Sequence, residues 1–150
     1  MLSYSHSKTG NLLSQRGILV HNSNVQGVMG SRLNLDIIRC WPQVEQVYKK
    51  AWKRNELWLG HVIFVQIDND LVLANCITRE FESDTKIYVN YEAVQMAYNR
   101  VAHYAKLNHM KVHYTNVGNK NTNWNVIKKT IDNELDTVDH TLWTLADCDR

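Results

Sequence analysis

The chain has 150 residues, of which 44% are hydrophobic and 21% are charged. This length suits one domain with a sizeable core, and the composition is that of a globular protein. The formal net charge of +2, from 17 basic and 15 acidic side chains, is too balanced to indicate a general nucleic-acid binder.

Cysteine usage and hydropathy indicate where the protein resides. Cys40, Cys76 and Cys148 form an odd set without a Cys-x-x-Cys pair, which favours a reducing compartment. The first ten residues carry no apolar signal segment, and no apolar run approaches the roughly 18 residues of a membrane span. We therefore expect a cytoplasmic protein without a membrane partner.

The first predicted elements are two strands and a helix. Leu2–Tyr4 reads as a short strand, and residues 7–11 read as a turn. Ile18–His21 reads as the next strand, and its apolar residues are continuous instead of alternating, which is typical of a strand buried on both faces. Ser31 is a good N-cap for a helix that we predict to end near Cys40.

A second helix and a hairpin follow. Pro42 suits the first position of a helix that ends near Lys53. Val62–Ile67 and Leu71–Ile77 are strand-like runs joined by Asp-Asn-Asp, which predicts a hairpin. The polar stretch from 79 to 86 reads as a loop. The apolar stripe of the second helix and the three tryptophans of this region are expected to be packing residues: Val44, Val47, Tyr48, Ala51, Trp41, Trp52 and Trp58.

The remaining elements again alternate between helix and strand. Asn90 caps the clearest helix, which we predict to end at Leu107, and Lys111–Asn116 reads as a strand. A polar loop follows over residues 118–123, then a helix, and His140–Leu145 is a last strand. The inward face of that last helix is predicted to be Val126, Ile127, Ile131 and Leu135. This alternation predicts an α/β fold with a mixed sheet.

Two loops of similar form are candidates for a ligand site. The first follows the strand at Ile18–His21 and contains Gly27 and Gly30 before the helix at Ser31; the second starts at Gly118. Glycines allow close backbone approach, and a helix start offers unpaired amides that favour a phosphate. If the two preceding strands are parallel neighbours, both helix starts open on one edge and can hold a diphosphate. The alternative is that both loops are ordinary strand-to-helix turns.

The loop residues also carry a family resemblance. The segment Val20–Ser31, VHNSNVQGVMGS, resembles the first ligand loop of macro domains, especially the phage and bacterial branch. Asn11 lies where that family carries an aspartate, Pro42 and Tyr48 match its next helix, and Trp124 ends its second loop. Element order agrees over nearly the whole chain, and the length suits the small macro domains of T4-like phages. The resemblance implies a three-layer fold with a central mixed sheet flanked by helices.

The resemblance implies binding of ADP-ribose or a derivative, or of an ADP-ribosylated macromolecule. We expect no cofactor, and no metal because His109 and His113 run from a turn into a strand with their rings apart. Some family members remove phosphate from ADP-ribose 1″-phosphate, and others remove ADP-ribose from macromolecules. By carry-over, Asn24 faces the distal ribose and Asn11 the adenine, while the two loops hold the diphosphate. The expected ligand-binding residues are Asn11, Asn22, Asn24, Gly27, Val28, Met29, Gly30, Ser31, Gly118, Asn119, Lys120, Asn121 and Thr122.

Departures from the family pattern bear on catalysis. Arg79 falls where the deglycosylating branch carries a lysine, and no Asp or Glu lies between Gly118 and Trp124. An arginine stays protonated and is a poor amine nucleophile, so the lysine–aspartate mechanism is not expected. Arg32 replaces a glycine; it either contacts a phosphate or points outward, and we expect the latter.

His21 is the remaining acid–base candidate, since an imidazole with an ordinary pKa near 6.5 would end a strand at the site. The competing interpretation is a histidine bonded to nearby backbone. Two functions follow for this chain. One is an enzyme, either a phosphatase of ADP-ribose 1″-phosphate or an ADP-ribosyl hydrolase. The other is a non-catalytic ADP-ribose-binding or sequestering module with a degenerate second loop.

Overall fold

A seven-stranded mixed sheet forms the centre of the computed structural model, which describes residues 5–82, 87–117 and 122–145. The strand order is β1-β7-β6-β2-β4-β3, with β5 beside β4. In this spatial order, every neighbouring pair from β1 through β7, β6 and β2 to β4 is parallel, whereas β3 and β5 run antiparallel to β4. The strands are β1 (Ser5–Gly10), β2 (Gly17–Asn24), β3 (Val62–Asp68), β4 (Leu71–Glu82), β5 (Ile87–Val89), β6 (Val112–Tyr114) and β7 (His140–Leu145).

Helices cover both faces of the sheet. They are α1 (Arg32–Cys40), α2 (Pro42–Lys53), α3 (Tyr91–Asn108) and α4 (Trp124–Glu134), with a 3₁₀ turn at Leu12–Ser14. Alternate residues of β2 separate the core into two parts. Ile18 packs among α3 and α4 side chains, while Leu19 packs with Ile37 of α1 and Tyr48 of α2. The predicted three-layer α/β fold is therefore confirmed.

Most predicted elements are present with closely similar limits. The α1 cap is Ser31, whose side chain accepts from the Asn34 amide, and α2 has the predicted bounds. Asn90 caps α3 as predicted, and β7 spans the predicted residues. The hairpin of β3 and β4 is confirmed by their antiparallel register.

Three predicted boundaries are wrong. Residues 7–10 continue β1 instead of turning, and the predicted strand Leu2–Tyr4 lies outside the described residues. The polar residues 22–24 belong to β2 because they pair with β4. Residues 79–82 extend β4 because β5 pairs with them, so this stretch is not a loop.

Several residues predicted to pack inward are exposed. Trp52, Trp58, Val47 and Val126 are each more than a third exposed, whereas Ile127, Ile131 and Leu135 are buried as predicted. Val44 and Tyr48 of α2 and Trp41 do pack into the core. Val47 and Val126 lie at the edges of the apolar faces of α2 and α4, and these edges are exposed to solvent, which is why their predicted burial is wrong.

Candidate functional site

A cavity of about 380 Å³ opens at the carboxyl ends of β2, β6 and β7, between the starts of α1 and α4. The parallel pairing of β2 with β6 brings these strand ends to one edge of the sheet, as a two-loop crevice requires. The lining residues are Asn22, Ser31, Leu33, Asn34, Arg79, Thr115, Asn116, Val117, Trp124, Leu142, Trp143, Thr144 and Leu145.

Asn22 ties β2 to the surrounding elements at the cavity wall. Its side-chain oxygen accepts a 3.1 Å hydrogen bond from the Thr78 hydroxyl of β4. Its backbone carbonyl accepts from the Asn34 amide group at 3.0 Å and from the Arg79 guanidinium. The wall is therefore fixed by hydrogen bonds from α1 and β4 that converge on one residue of β2.

Asn24 shapes the first loop from inside the protein. Its side-chain amide donates to the Val28 carbonyl at 3.0 Å, and its oxygen accepts from the Gln26 amide at 2.9 Å. The Tyr48 hydroxyl donates to the Asn24 carbonyl at 2.6 Å. Asn24 has no exposed surface, so its side chain organises the loop and faces away from the cavity.

The two loop glycines differ in what they require. Gly27 has φ +81°, and a Cβ on it would lie 2.6 Å from the Trp52 ring. Gly30 has no positive φ, and its nearest neighbour would lie 3.8 Å away at Val28. Of these two positions, only position 27 requires a glycine, because its φ is positive and the loop packs directly against the Trp52 indole of α2.

His21 lies beneath the start of α1 instead of inside the cavity. Its Nδ1 is 2.9 Å from the Asn34 side-chain oxygen, and because the Asn34 amide nitrogen already donates to Asn22, Nδ1 must donate. No donor among the described residues reaches Nε2. Burial lowers the His21 pKa to about 4, although the Asn34 bond opposes this. Fully buried and neutral, His21 does not have the geometry of the expected acid–base catalyst.

Arg79 brings a positive charge to the cavity. Its side chain follows Thr78 on β4, lines the cavity and is only 5% exposed. Its guanidinium donates to the Asn22 carbonyl, which fixes its orientation. A nearly buried, fixed guanidinium is suited to an anionic ligand group and not to nucleophilic attack.

Trp143 forms a wall held by a short relay. The indole Nε1 donates to His113 Nδ1 at 2.9 Å, so the proton of neutral His113 lies on Nε2, which donates to the Arg16 carbonyl at 2.9 Å. The other side of the indole meets Gly10, where a Cβ would lie 3.0 Å from the ring. This relay connects β6 and β7 and holds the ring between the two strands and Gly10.

The expected ligand-binding residues occupy different environments. Asn22 and Ser31 line the cavity. Asn24, Gly27 and Met29 are buried, and Val28 and Gly30 are exposed outside the lining. Asn11 is exposed and caps the 3₁₀ turn, and Thr122 is half-buried outside the lining. Residues 118–121 lie outside the described residues.

The lining includes residues that the sequence reasoning did not select. Asn34 lies on α1, Thr115 and Asn116 follow β6, and Thr144 and Leu145 end β7. The first-loop pattern carries no information about them. Their position after parallel strands was the one available signal, because such strand ends line the crevice in α/β sheets. Arg32 is exposed and absent from the lining, as expected.

Over residues 5–82, 87–117 and 122–145, no His, Cys, Asp and Glu side chains are grouped as a metal site would need. None of the helices within these ranges is long and apolar enough to cross a membrane.

Comparison with protein-family models and with curated proteins gave no match. Solved structures do match. A macrodomain protein from Streptomyces coelicolor superposes with a TM-score of 0.83 at 26% identity, covering 93% of this chain and 98% of that one. The chain has the macrodomain fold.

Two further solved structures extend the comparison. The macrodomain of Mycobacterium tuberculosis DarG has a TM-score of 0.80 at 20% identity, with 96% of this chain and 99% of that chain covered. Thermosipho africanus DarTG, solved in complex with ADP-ribose, has a TM-score of 0.73 at 16% identity. There the match covers 93% of this chain and 40% of that chain.

Proposed function

We propose that this chain binds ADP-ribose or an ADP-ribose derivative in the cavity at the carboxyl edge of its sheet. The observation that carries the proposal is a cavity at the start of α1 that combines polar and apolar walls with the Arg79 guanidinium, in a fold shared with a protein solved with ADP-ribose. The cavity volume of about 380 Å³ lies within the range of small-molecule sites.

The lining suggests how such a ligand would lie. The diphosphate would meet the α1 start at Ser31, where amides and the helix dipole favour negative charge. Arg79 would add a fixed positive charge. The adenine would lie toward Leu145, which pairs with Gly10 beside Asn11. Trp124 and Trp143 offer apolar ring surface to the sugars or the base.

Binding without catalysis is the form that the lining favours. Among the described lining residues there is no Asp, Glu, His, Lys or Cys, so no side chain there can act as a general base or activate the hydroxyls of Ser31, Thr115 and Thr144 for attack. The enzymatic alternative is phosphate removal from ADP-ribose 1″-phosphate. Arg79 supports that alternative, because a guanidinium stabilises developing charge on phosphoryl oxygens.

Isothermal titration with ADP-ribose tests the proposal. Thr144→Trp should abolish the binding heat, because Thr144 is an exposed residue that lines the cavity. Thr137→Trp, exposed and outside that lining, is the matched control and should bind like the wild type. Absence of binding to the wild type, or binding unaffected by Thr144→Trp, would overturn the proposal.

The same preparations separate the alternatives. Phosphate release from ADP-ribose 1″-phosphate that Thr144→Trp eliminates would establish the enzyme, and binding without release would establish the module. Titration with an ADP-ribosylated peptide beside free ADP-ribose would identify the preferred partner. A cytoplasmic site of action and the phage branch are part of the proposal, supported by the odd cysteine count and by the first-loop motif.

A further inference from the structure

A second groove, of about 710 Å³, lies against β1, β7 and β6. It faces the same side of the sheet as α1 and α2, since His113 on its floor pairs in register with Leu19. Three cationic side chains line it, Lys8, Arg16 and Lys111, against one carboxylate, Asp139.

Strand register gives the groove its floor and its length. His6, Thr141 and His113 form a row across the three strands, and Thr141 and His113 are more than nine-tenths buried. Lys8 lies two residues from His6 toward one end, and Lys111 two residues from His113 toward the other. With usual strand spacings, the two lysine backbones are about 16 Å apart. The positive charge therefore extends along the groove instead of meeting at one point.

The ion pairs of the groove lie at its surface. Asp139 contacts His6 at 3.0 Å and Lys111 at 3.8 Å, and Arg16 contacts Asp68 at 3.1 Å. The side chains of Arg16 and Lys111 are 59% and 68% exposed. Exposed pairs of this kind are weak, so both cations can turn to a stronger anion without much loss.

The chemistry of the lining is that of an anion site. Besides the cations, it presents the Ser14 and Thr141 hydroxyls and the Gln15 amide, and Trp143 is its main apolar surface. We propose that this groove is a second binding site, for a ligand that carries three or more phosphate groups. Phosphate suits the site because arginine, lysine and hydroxyl groups all donate to its oxygens.

The groove is separate from the ADP-ribose cavity. Trp143 lines both, and its indole, held by His113 and Gly10, stands between them. None of the cations of the groove lines the cavity. The second site therefore does not depend on the proposed function, and each can be tested while the other fails.

The test uses the full chain with two probes of repeated phosphate, inorganic tripolyphosphate and a short fluorescent oligothymidine. Affinity is measured by titration and by anisotropy at physiological salt. Replacing Lys8 and Lys111 by glutamine together should weaken binding about tenfold or more, since each lost cation removes a phosphate contact. Replacing Lys49 and Lys50, two exposed lysines of α2, makes the same change in net charge and should alter affinity less than about twofold.

The outcomes are distinct. The probe that binds identifies the source, free oligophosphate or a phosphodiester chain, and either supports the groove. No binding of either probe, equal weakening in both double variants, or displacement of the probe by ADP-ribose would overturn it. ADP-ribose titrated into the groove variant reports on the cavity alone. If the wild type does not bind ADP-ribose but binds the probe, the proposed function is wrong and the proposal for the groove stands.

Discussion

At the scale of single residues, most polar side chains of the first loop make hydrogen bonds within the protein instead of facing the cavity. Asn24 and His21 have no exposed surface, and their hydrogen bonds hold the first loop and the start of α1. Asn22 reaches the cavity, but its carbonyl and amide oxygen are already engaged. A motif match therefore locates the loop without establishing which of its side chains meets a ligand.

His21 should make the protein sensitive to acid. Its folded pKa, about 4, lies below the ordinary 6.5 of an unfolded histidine, so the unfolded state binds more protons between these values. Stability is therefore full above pH 6.5 and falls as the pH drops toward 4. Between pH 7 and pH 5 the free energy of unfolding should fall by on the order of 2 kcal/mol from this group. Urea unfolding at each pH measures it.

The matched variants are His21→Gln and His103→Gln. The first removes the buried imidazole and should flatten the acid limb, whatever its effect at neutral pH. The second removes an exposed imidazole of α3 and should leave the slope unchanged. Equal slopes in His21→Gln and the wild type would show that His21 is not the acid-sensitive group.

Asn24→Ala should destabilise the protein by about 1–3 kcal/mol, because the Val28 carbonyl and Gln26 amide lose buried partners. ADP-ribose affinity should fall with it, through a loosened loop and not through a lost ligand contact. Asn133→Ala, an exposed change on α4, should be nearly neutral. Chemical unfolding measures the change in stability, and isothermal titration measures the change in ADP-ribose affinity. Unchanged stability together with lost affinity would instead mean that Asn24 contacts the ligand directly.

At the scale of elements, the first loop depends on its seat against α2. Gly27→Ala should cost about 1–3 kcal/mol, because it strains a residue at φ +81° and drives a Cβ into the Trp52 ring. Gly30→Ala, with its nearest neighbour 3.8 Å away, should cost little. Thermal unfolding of the two variants compares them directly. Equal losses would mean that the indole does not seat the loop. Adding Trp52→Ala to Gly27→Ala should recover the steric part of the loss.

Local patterns were enough to predict the elements that carry their own start signals. The caps Ser31 and Asn90 and the helix-starting Pro42 marked helix starts, and continuous apolar runs marked β2 and β4. Two errors share one cause. The polar residues 22–24 are strand because they pair with β4, which is distant in sequence. Residues 79–82 are strand because Arg79 pairs with the equally distant Asn24, and because Arg79 and Glu82 pair with the nearby β5. Strand pairing across such separations leaves no local trace in the sequence.

The same limit applies to the site. The sequence predicted the edge of the sheet and the first loop, since parallel strands followed by helices bring loops together there. The inward turn of Asn24 depends on Tyr48, 24 residues away, and the wall at Trp143 depends on His113, 30 residues away. Neither contact can be read from spacing.

At the scale of the whole molecule, the sheet carries two cavities that share one side chain. Trp143 lies between them, and its relay to His113 and Arg16 connects the floor of the groove to the wall of the cavity. The indole is fixed by Gly10 and by its hydrogen bond, so occupying one site should not move it into the other. We therefore expect the sites to act independently, with little coupling free energy.

Independent sites make a prediction about thermal stability. A ligand at one hundred times its dissociation constant stabilises the folded state by about 2.7 kcal/mol, which for a chain of this length raises Tm by about 5–10 °C. ADP-ribose and tripolyphosphate together should therefore give roughly the sum of their separate shifts, because each ligand occupies its own cavity. Thr144→Trp should lose the ADP-ribose part alone, and the variant that replaces Lys8 and Lys111 should lose the tripolyphosphate part alone. A combined shift no larger than the greater single shift would mean that both ligands compete for one cavity, and the division at Trp143 would have no functional meaning.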